Sequence, residues 1–187
     1  MYINKTLFAF AKRLNSFGVN PKRILYSLKG TPRYICDLFK FRAKLKNSQD
    51  FKKVTYFPCL YDFYDSAGTM KGHYFHQDLL VAKKIFLSNP KRHVDIGSRI
   101  DGFVAHVASF RRIEVLDIRN VESKVENIEF QQMDLMEFDP TWEECCDSIS
   151  CLHALEHFGL GRYGDTLNIS GHLIAWENIY KMLKING

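Results

Sequence analysis

The sequence predicts an α/β fold with a parallel sheet over residues 91–187. Short apolar runs alternate there with helical patterns, which favours parallel strands joined by right-handed crossovers. The first run ends in Asp95-Ile96-Gly97, and a glycine-containing turn then opens a helical pattern. A glycine at this point lets a ligand approach the main chain, and the following helix offers unpaired N–H groups to an anion. A nucleotide-like ligand is therefore expected at the end of the first strand.

Each element follows from the apolar pattern and its punctuation. A strong helical run, with Leu79, Leu80, Ala82, Ile85 and Phe86, stops at Asn89-Pro90. Strands are expected at about 92–96, 113–118, 128–133 and 147–152. Helices are expected at 101–110 and about 171–184.

The N-terminal part shows only helical patterns. Apolar residues recur at helical spacing from Asn4 to Phe17. A second short helix should begin at Pro21 and break at Gly30-Thr31-Pro32, and a third should run from Arg33 to about Lys46.

These patterns divide the chain into three segments. Residues 1–53 form a basic helical appendage, residues 54–90 form a linker and a helix that starts near Tyr74-Phe75-His76-Gln77, and residues 91–187 form the sheet domain.

Composition excludes several classes of protein. Apolar residues make up 46% and charged residues 25% of the 187 residues, which is typical of globular proteins, and no apolar run could span a membrane. The five cysteines have no C-x-x-C spacing, so we expect neither a disulfide framework nor a zinc ribbon, and free thiols favour the cytoplasm. The net charge of +5 is uneven, because residues 1–53 are basic. That region could face RNA, a membrane surface or only solvent, but no alternation of aromatic and basic residues indicates nucleic acid.

Three acids mark the ends of successive strands. Asp95 lies in the first strand, Asp117 ends the second, twenty positions after Gly97, and Asp134 follows the third. Ligands of open parallel sheets bind outside the carboxyl ends of the strands, and an acid after the second strand binds ribose hydroxyls. We therefore expect all three acids near one ligand.

This succession resembles class I S-adenosylmethionine-dependent methyltransferases. The resemblance implies a Rossmann-like sheet in the order 3-2-1-4. It also implies that Asp117 holds the ribose, Asp134 contacts the adenine amino group and Gly97 lies beneath the methionine half of the cofactor. It further implies that the helix within residues 54–90, near Tyr74-Phe75-His76-Gln77, covers the cofactor. The expected cofactor-binding residues are Asp95, Gly97, Ser98, Asp117, Asp134 and Leu135. The chain departs from the family's D-x-G-x-G-x-G, because Ser98 and Arg99 separate Gly97 from the turn that contains Gly102.

Two longer strings are similar to a small family of methyltransferase-like proteins of unknown function from bacteria and nematodes. They are Asp95-Ile-Gly-Ser-Arg-Ile-Asp-Gly-Phe103 and Cys151-Leu-His-Ala-Leu-Glu-His-Phe-Gly-Leu-Gly-Arg-Tyr-Gly-Asp165. This similarity implies a fold and a cofactor but no substrate.

The segment His153-Ala-Leu-Glu-His157 has two interpretations. It matches H-x-x-E-H, a zinc-peptidase motif that requires a helix. It also follows the fourth strand directly, where many methyltransferases carry Leu-Glu-His. In that case His153 is the candidate general base or a structural histidine, Glu156 and His157 cap and pack the next helix, and no metal is bound.

The following loop, Gly159 to Asp165, is the expected substrate-binding segment. Its glycines surround the polar side chains of Arg162, Tyr163 and Asp165. An ordinary strand-to-helix connection is the alternative.

The resemblance implies that a fifth strand and two more follow Gly187. The chain is therefore expected to be C-terminally truncated relative to the family. An exposed edge on the fourth strand would then favour self-association.

Together these features predict an S-adenosylmethionine-dependent methyltransferase that acts on a small-molecule or sugar acceptor. A catalytically inactive protein that only binds the cofactor is the alternative. An NAD-dependent oxidoreductase would explain Asp117 but neither Asp134 nor the Leu155-Glu156-His157 segment.

Overall fold

A computed structural model describes residues 5–46 and 54–187. The chain forms two compact units, Met1–Thr69 and Met70–Gly187. The boundary differs from the predicted segments, because residues 54–69 belong with the N-terminal helices and residues 70–90 belong with the sheet. The expected helix start at Asn4 and the end of the predicted appendage at 47–53 lie outside the described residues.

The described residues of the first unit form two α-helices, α1 (Lys5–Ser16) and α2 (Pro21–Leu45). Asn20 caps α2, because its side-chain oxygen accepts a hydrogen bond from the Arg23 amide at 3.0 Å. Pro21 then occupies the first turn, where its missing N–H costs nothing. A short 3₁₀ turn follows at Asp62–Tyr64.

The predicted break at Gly30-Thr31-Pro32 was wrong, since α2 continues through all three residues. The reason is tertiary packing around Gly30. A Cβ built on this glycine would lie 1.7 Å from the Leu60 carbonyl oxygen, so only glycine allows the main chain at Leu60 to approach the helix this closely. Aromatic residues after Leu60 contact α2 on both sides of Pro32, with Tyr64 stacked on Tyr26 and Phe63 beneath Arg33. These contacts stabilise the helix across its proline.

The second unit is built on a four-stranded parallel sheet in the order β3-β2-β1-β4, as predicted. Its strands lie within or close to the predicted ranges: β1 (His93–Ile96), β2 (Ile113–Asp117), β3 (Ile128–Gln132) and β4 (Ser148–Ser150). All four residues of β1 are buried, whereas β3 is a largely exposed edge strand. The central strand β1 therefore positions the loops that follow the sheet.

Helices cover both faces of the sheet and form two apolar clusters. The helices α3 (His73–Ser88) and α4 (Ala105–Ala108) cover one face, and α5 (Gly171–Met182) covers the other. Val94 and Ile96 of β1 pack in the α5 cluster, whereas Val115 of β2 packs in the α3 cluster. This alternation places the remaining residues of β1, His93 and Asp95, on the α3 side.

Two helices differ from their predicted ranges. The predicted helix 101–110 begins as a π-helical turn at Ile100–Val104, in which Gly102 has non-helical φ and ψ angles, and becomes regular only in α4. The helix α5 ends at Met182 because the next residues return to the sheet, where the Lys184 amide donates to the Cys146 carbonyl at 2.9 Å. Leu183 and Cys146 form a parallel bridge beside β4.

Within residues 5–46 and 54–187, no helix combines the length and the apolar character needed to cross a membrane.

Candidate ligand-binding site

A cavity of about 400 Å³ opens at the carboxyl ends of the parallel strands. Every strand end or the loop after it contributes to the wall, and α3 contributes two side chains. The polar residues that line it are Tyr74, Asp78, Ser98, Arg99, Asp117, Arg119, Asp134, His153, His157, Arg162, Tyr163 and Asp165. Nine of the ten predicted site residues line the cavity, and Asp95 is the exception. The cavity therefore lies where the sequence predicts a ligand.

Asp95 does not line the cavity, in contrast to Asp117. The register explains the difference, because Asp95 pairs with Val115 and therefore lies two residues deeper in the sheet than Asp117. Its side chain is completely buried. We therefore assign Asp95 a supporting position beneath the loop rather than a contact with a ligand.

Asp95 is the centre of a buried polar network. Its carboxyl group accepts hydrogen bonds from the Ser98 hydroxyl at 2.7 Å, the Ser98 amide at 3.1 Å and the Ser150 hydroxyl at 2.5 Å. The Ser150 hydroxyl also lies 3.1 Å from Nε2 of His93, whose Nδ1 lies 2.8 Å from the Ser148 hydroxyl. Burial raises the pKa of Asp95 to about 6, although the hydrogen bonds from Ser150 and Ser98 oppose this shift.

The loop after β1 is held close to the loop after β4. Gly97 has a φ of +67°, and a Cβ at this position would lie 2.8 Å from the Ala154 Cβ. Both the left-handed conformation and the close approach favour glycine. Ser98 connects the same loops, because its hydroxyl accepts a hydrogen bond from the Leu152 amide at 3.2 Å while donating to Asp95.

Asp117 projects into the cavity with an arginine bound to it. Its Oδ2 accepts from Nη2 of Arg119 at 2.6 Å, and its Oδ1 accepts from Nε of Arg119 at 3.0 Å and from the Arg119 amide at 2.8 Å. The side chain of Asp117 is 11% exposed and that of Arg119 is 49% exposed. The guanidinium group also lies 4.4 Å from the centre of the Tyr163 ring. The predicted ribose-binding carboxylate is thus paired with a side chain that has room to move.

Asp134 and Leu135 form the wall beyond β3. One carboxylate oxygen of Asp134 accepts from the Met136 amide at 2.9 Å, which fixes the turn after the strand. Leu135 is buried in the α5 cluster, and its carbonyl accepts from the Asn178 side chain at 2.9 Å. The acid is therefore held at the cavity by a turn that is anchored to α5.

His153 follows β4, at the other end of the sheet from β3, the strand that precedes Asp134. Its φ is +59°, and its ring stacks on Tyr74 with the ring centres 3.8 Å apart. Nε2 is buried and has no hydrogen-bond partner among the described residues. Because a buried polar atom without a partner is costly, a ligand in this cavity is an appropriate partner for it.

The zinc-peptidase interpretation of His153 to His157 is not supported by the local backbone. Leu155–His157 form a 3₁₀ turn rather than the α-helix that the motif requires. His153 contacts Tyr74, whereas Nε2 of His157 lies 3.3 Å from Arg162. Within the part of the chain that the structure describes, no three His, Cys, Asp or Glu side chains come together as a metal-binding group.

The loop after β4 is organised by Asp165. Its carboxylate accepts hydrogen bonds from the amides of Gly159 at 2.8 Å, Gly161 at 3.1 Å and Tyr163 at 3.2 Å. Burial alone would raise the pKa of Asp165, but these amide hydrogen bonds lower it below the ordinary value. Asp165 therefore shapes the loop, and Arg162 and Tyr163 are the side chains that this loop presents to the cavity.

Four polar residues that line the cavity were not predicted as site residues, namely Asp78, Arg99, Arg119 and His157. Of the four residues proposed to cover the ligand, Tyr74 lines the cavity, and Asp78 is one helical turn further along α3. The spacing of four residues would have identified Asp78 once Tyr74 was placed. The position of Arg119, two residues after the acid that ends β2, gave no comparable signal.

The chain matched none of the family models, curated proteins or solved structures with which it was compared.

Proposed function

We propose that the protein is an S-adenosylmethionine-dependent methyltransferase that acts on a small-molecule or sugar acceptor, with a Rossmann-like methyltransferase fold. The observation that carries the proposal is the convergence of Gly97, Asp117 and Asp134 on one cavity at the carboxyl edge of a sheet ordered β3-β2-β1-β4.

The residues present are compatible with this cofactor. A carboxylate that ends β2 suits a ribose diol, and the half-buried carboxylate of Asp134 suits an exocyclic amino group. Gly97 lines the cavity with its main chain, and its lack of a side chain lets Ala154 of the loop after β4 pack against it. Arg119 must leave Asp117 before ribose hydroxyls can bind there, and its half-exposed side chain allows this.

When bound, S-adenosylmethionine supplies an electrophilic methyl group. The protein must align the acceptor with this methyl group and remove the proton of the acceptor hydroxyl. His153 is the candidate general base that accepts this proton. Its Nε2 has no hydrogen-bond partner among the described residues, and its imidazole lies against the Tyr74 ring. Arg162 and Tyr163 are the candidates for orienting the acceptor, since Asp165 holds their loop over the strand ends.

Calorimetry and a transfer assay test the proposal. S-adenosylmethionine should bind the full chain with a stoichiometry of about one, as one cavity implies, and NAD should not compete. A methyl-labelled cofactor incubated with a panel of small hydroxyl acceptors and sugars should then transfer its label. Binding without transfer to any acceptor would favour the inactive cofactor-binding protein. Binding of NAD in place of S-adenosylmethionine would refute the proposal.

A variant of His153 separates catalysis from binding. His153→Asn should abolish transfer while cofactor affinity stays within about twofold, since asparagine tolerates the left-handed backbone at this position. Unchanged transfer would show that His153 is structural.

A further inference from the structure

The helix α2 carries an apolar face that stays largely exposed among the described residues. Ile24, Leu28, Ile35 and Phe39 follow one another at spacings of four, seven and four residues, so they lie on one side of the helix. Their exposed fractions are 52%, 68%, 45% and 66%. We call these four residues the Leu28 face.

The opposite side of α2 makes the packing contacts of its unit. Tyr26 stacks on Tyr64, and the Arg33 guanidinium lies 3.4 Å from the centre of the Phe63 ring. Gly30, on the same side, meets the main chain at Leu60. The Leu28 face is therefore a separate surface, and packing within the unit does not account for its apolar residues.

Positive charge lies along one flank of this face. Residues 5–46 hold eleven lysines and arginines against one acid, Asp37, which gives a formal net charge of +10. Lys22, Lys29 and Lys40 are exposed, and at about 100° per residue they lie roughly 100–120° around the helix axis from Leu28. Lysines at this angle can extend their amino groups toward the plane of the apolar face while their methylene groups lie along it.

The combination of charge and apolar surface discriminates between partners. A purely solvated face does not require four large apolar residues in a row, and a nucleic acid would use the lysines but leave isoleucine and leucine exposed. A second copy would bring together two 5–46 segments, each with a formal net charge of +10. An anionic lipid surface satisfies both features, because apolar side chains enter the acyl boundary while lysines bind the headgroups.

We infer that α2 binds an anionic lipid surface through the Leu28 face and lies in the plane of that surface. The inference is independent of the function proposed for the cavity, which lies in the other unit.

Flotation with vesicles tests the inference on the full chain. The protein should float with vesicles of phosphatidylcholine mixed with phosphatidylserine, and less with phosphatidylcholine alone. The double variant Leu28→Gln and Phe39→Gln should lose at least tenfold in the partition coefficient, since burial of each side chain favours binding. The control is Phe86→Gln with Leu87→Gln on α3, which replaces the same two residue types at similar exposures of 61% and 69%. This control should bind like the unmodified chain.

A variant with fewer lysines measures the electrostatic contribution to vesicle binding. Replacing Lys22, Lys29 and Lys40 with glutamine should weaken binding to phosphatidylserine vesicles by about two orders of magnitude at low salt, at roughly fivefold per lysine. Circular dichroism would verify that each variant keeps its helix content. Equal binding by the Leu28/Phe39 variant and the α3 control would overturn the inference. The inference would also be overturned if the unmodified chain did not bind vesicles but formed dimers, and the Leu28/Phe39 variant did not form them. The Leu28 face would then bind a second copy of the chain.

Discussion

Arg119 binds both carboxylate oxygens of Asp117 at the end of β2, with Nη2 to Oδ2 at 2.6 Å and Nε to Oδ1 at 3.0 Å. The same guanidinium lies over the ring of Tyr163 in the loop after β4. The residue expected to hold ribose is therefore paired with a residue that also contacts the candidate acceptor loop. Opening of this pair would couple the two ends of the cavity.

Arg119→Gln should strengthen cofactor binding about two- to fivefold, because ribose hydroxyls would no longer compete with an ion pair of roughly 1 kcal/mol or less. Calorimetry with S-adenosylmethionine measures this change. Arg112→Gln is the control, since Arg112 pairs with Glu129 and neither residue lines the cavity. Weaker binding by Arg119→Gln would mean that Arg119 itself contacts the ligand.

Asp117→Ala should weaken cofactor binding about tenfold or more, since hydrogen bonds to a charged group contribute roughly 1.5–3 kcal/mol. Asp134→Asn should weaken cofactor binding less than Asp117→Ala does. An amide oxygen can still accept a hydrogen bond from the adenine amino group or from the Met136 amide. Calorimetry on both variants ranks them, with Glu129→Ala on β3 as the control. A larger loss for Asp134→Asn would reverse the assignment of the two acids.

The buried pair His93 and Asp95 should give two variants with opposite pH dependence of stability. Burial, aided by the positive charge of Arg111, lowers the pKa of His93 from 6.5 to about 4, and burial raises that of Asp95 from 3.8 to about 6. Between pH 4 and 6 the native state thus holds a proton on Asp95, whereas the unfolded chain holds one on the histidine. The two contributions cancel in the unmodified chain, because both states bind the same number of protons.

Single substitutions should remove this cancellation. In Asp95→Asn only the histidine remains, the unfolded chain binds the extra proton, and the free energy of unfolding should rise with pH up to about 6.5. In His93→Gln only the acid remains, the native state binds the extra proton, and the free energy of unfolding should fall as pH rises to about 6. Each slope approaches about 1.4 kcal/mol per pH unit. Urea unfolding from pH 4.5 to 6.5 measures both, and parallel profiles would contradict the assigned protonation states.

The sequence predicted the sheet well because local and tertiary preferences agree there. The positions of the strands follow from short runs closed by an acid or a turn, whereas their order in the sheet was expected from the resemblance to methyltransferases. Agreement was lost where packing overrides a local signal. Gly30 and Pro32 indicate a helix end, but the close approach of Leu60 makes Gly30 a packing residue within a continuous helix.

The site was predictable by position but not by side-chain environment. Asp95 and Asp117 look equivalent in the sequence, since each belongs to an apolar run that ends near a turn. Only the strand register shows that Asp95 lies opposite Val115, where its carboxyl group is buried against Ser98 and Ser150. The pairing of Asp117 with Arg119 depends on the arginine rotamer, for which the sequence has no pattern.

The outer edge of β4 should cause the 187-residue chain to self-associate. This strand pairs with β1 on one side, and among the described residues its other side carries only the bridge between Cys146 and Leu183, before the strand begins. An edge with unpaired N–H and C=O groups is a template for strand pairing between chains. Sizing chromatography with light scattering should give a mass that rises with protein concentration. The amides of Ser148 and Ser150, which point away from β1 like that of Cys146, should gain protection from hydrogen exchange over the same range. The Leu28/Phe39 variant is the control, because it alters an exposed apolar surface in the other unit and should leave this association intact. A monodisperse monomer at every concentration would show that the bridge at Cys146 is enough to block the edge.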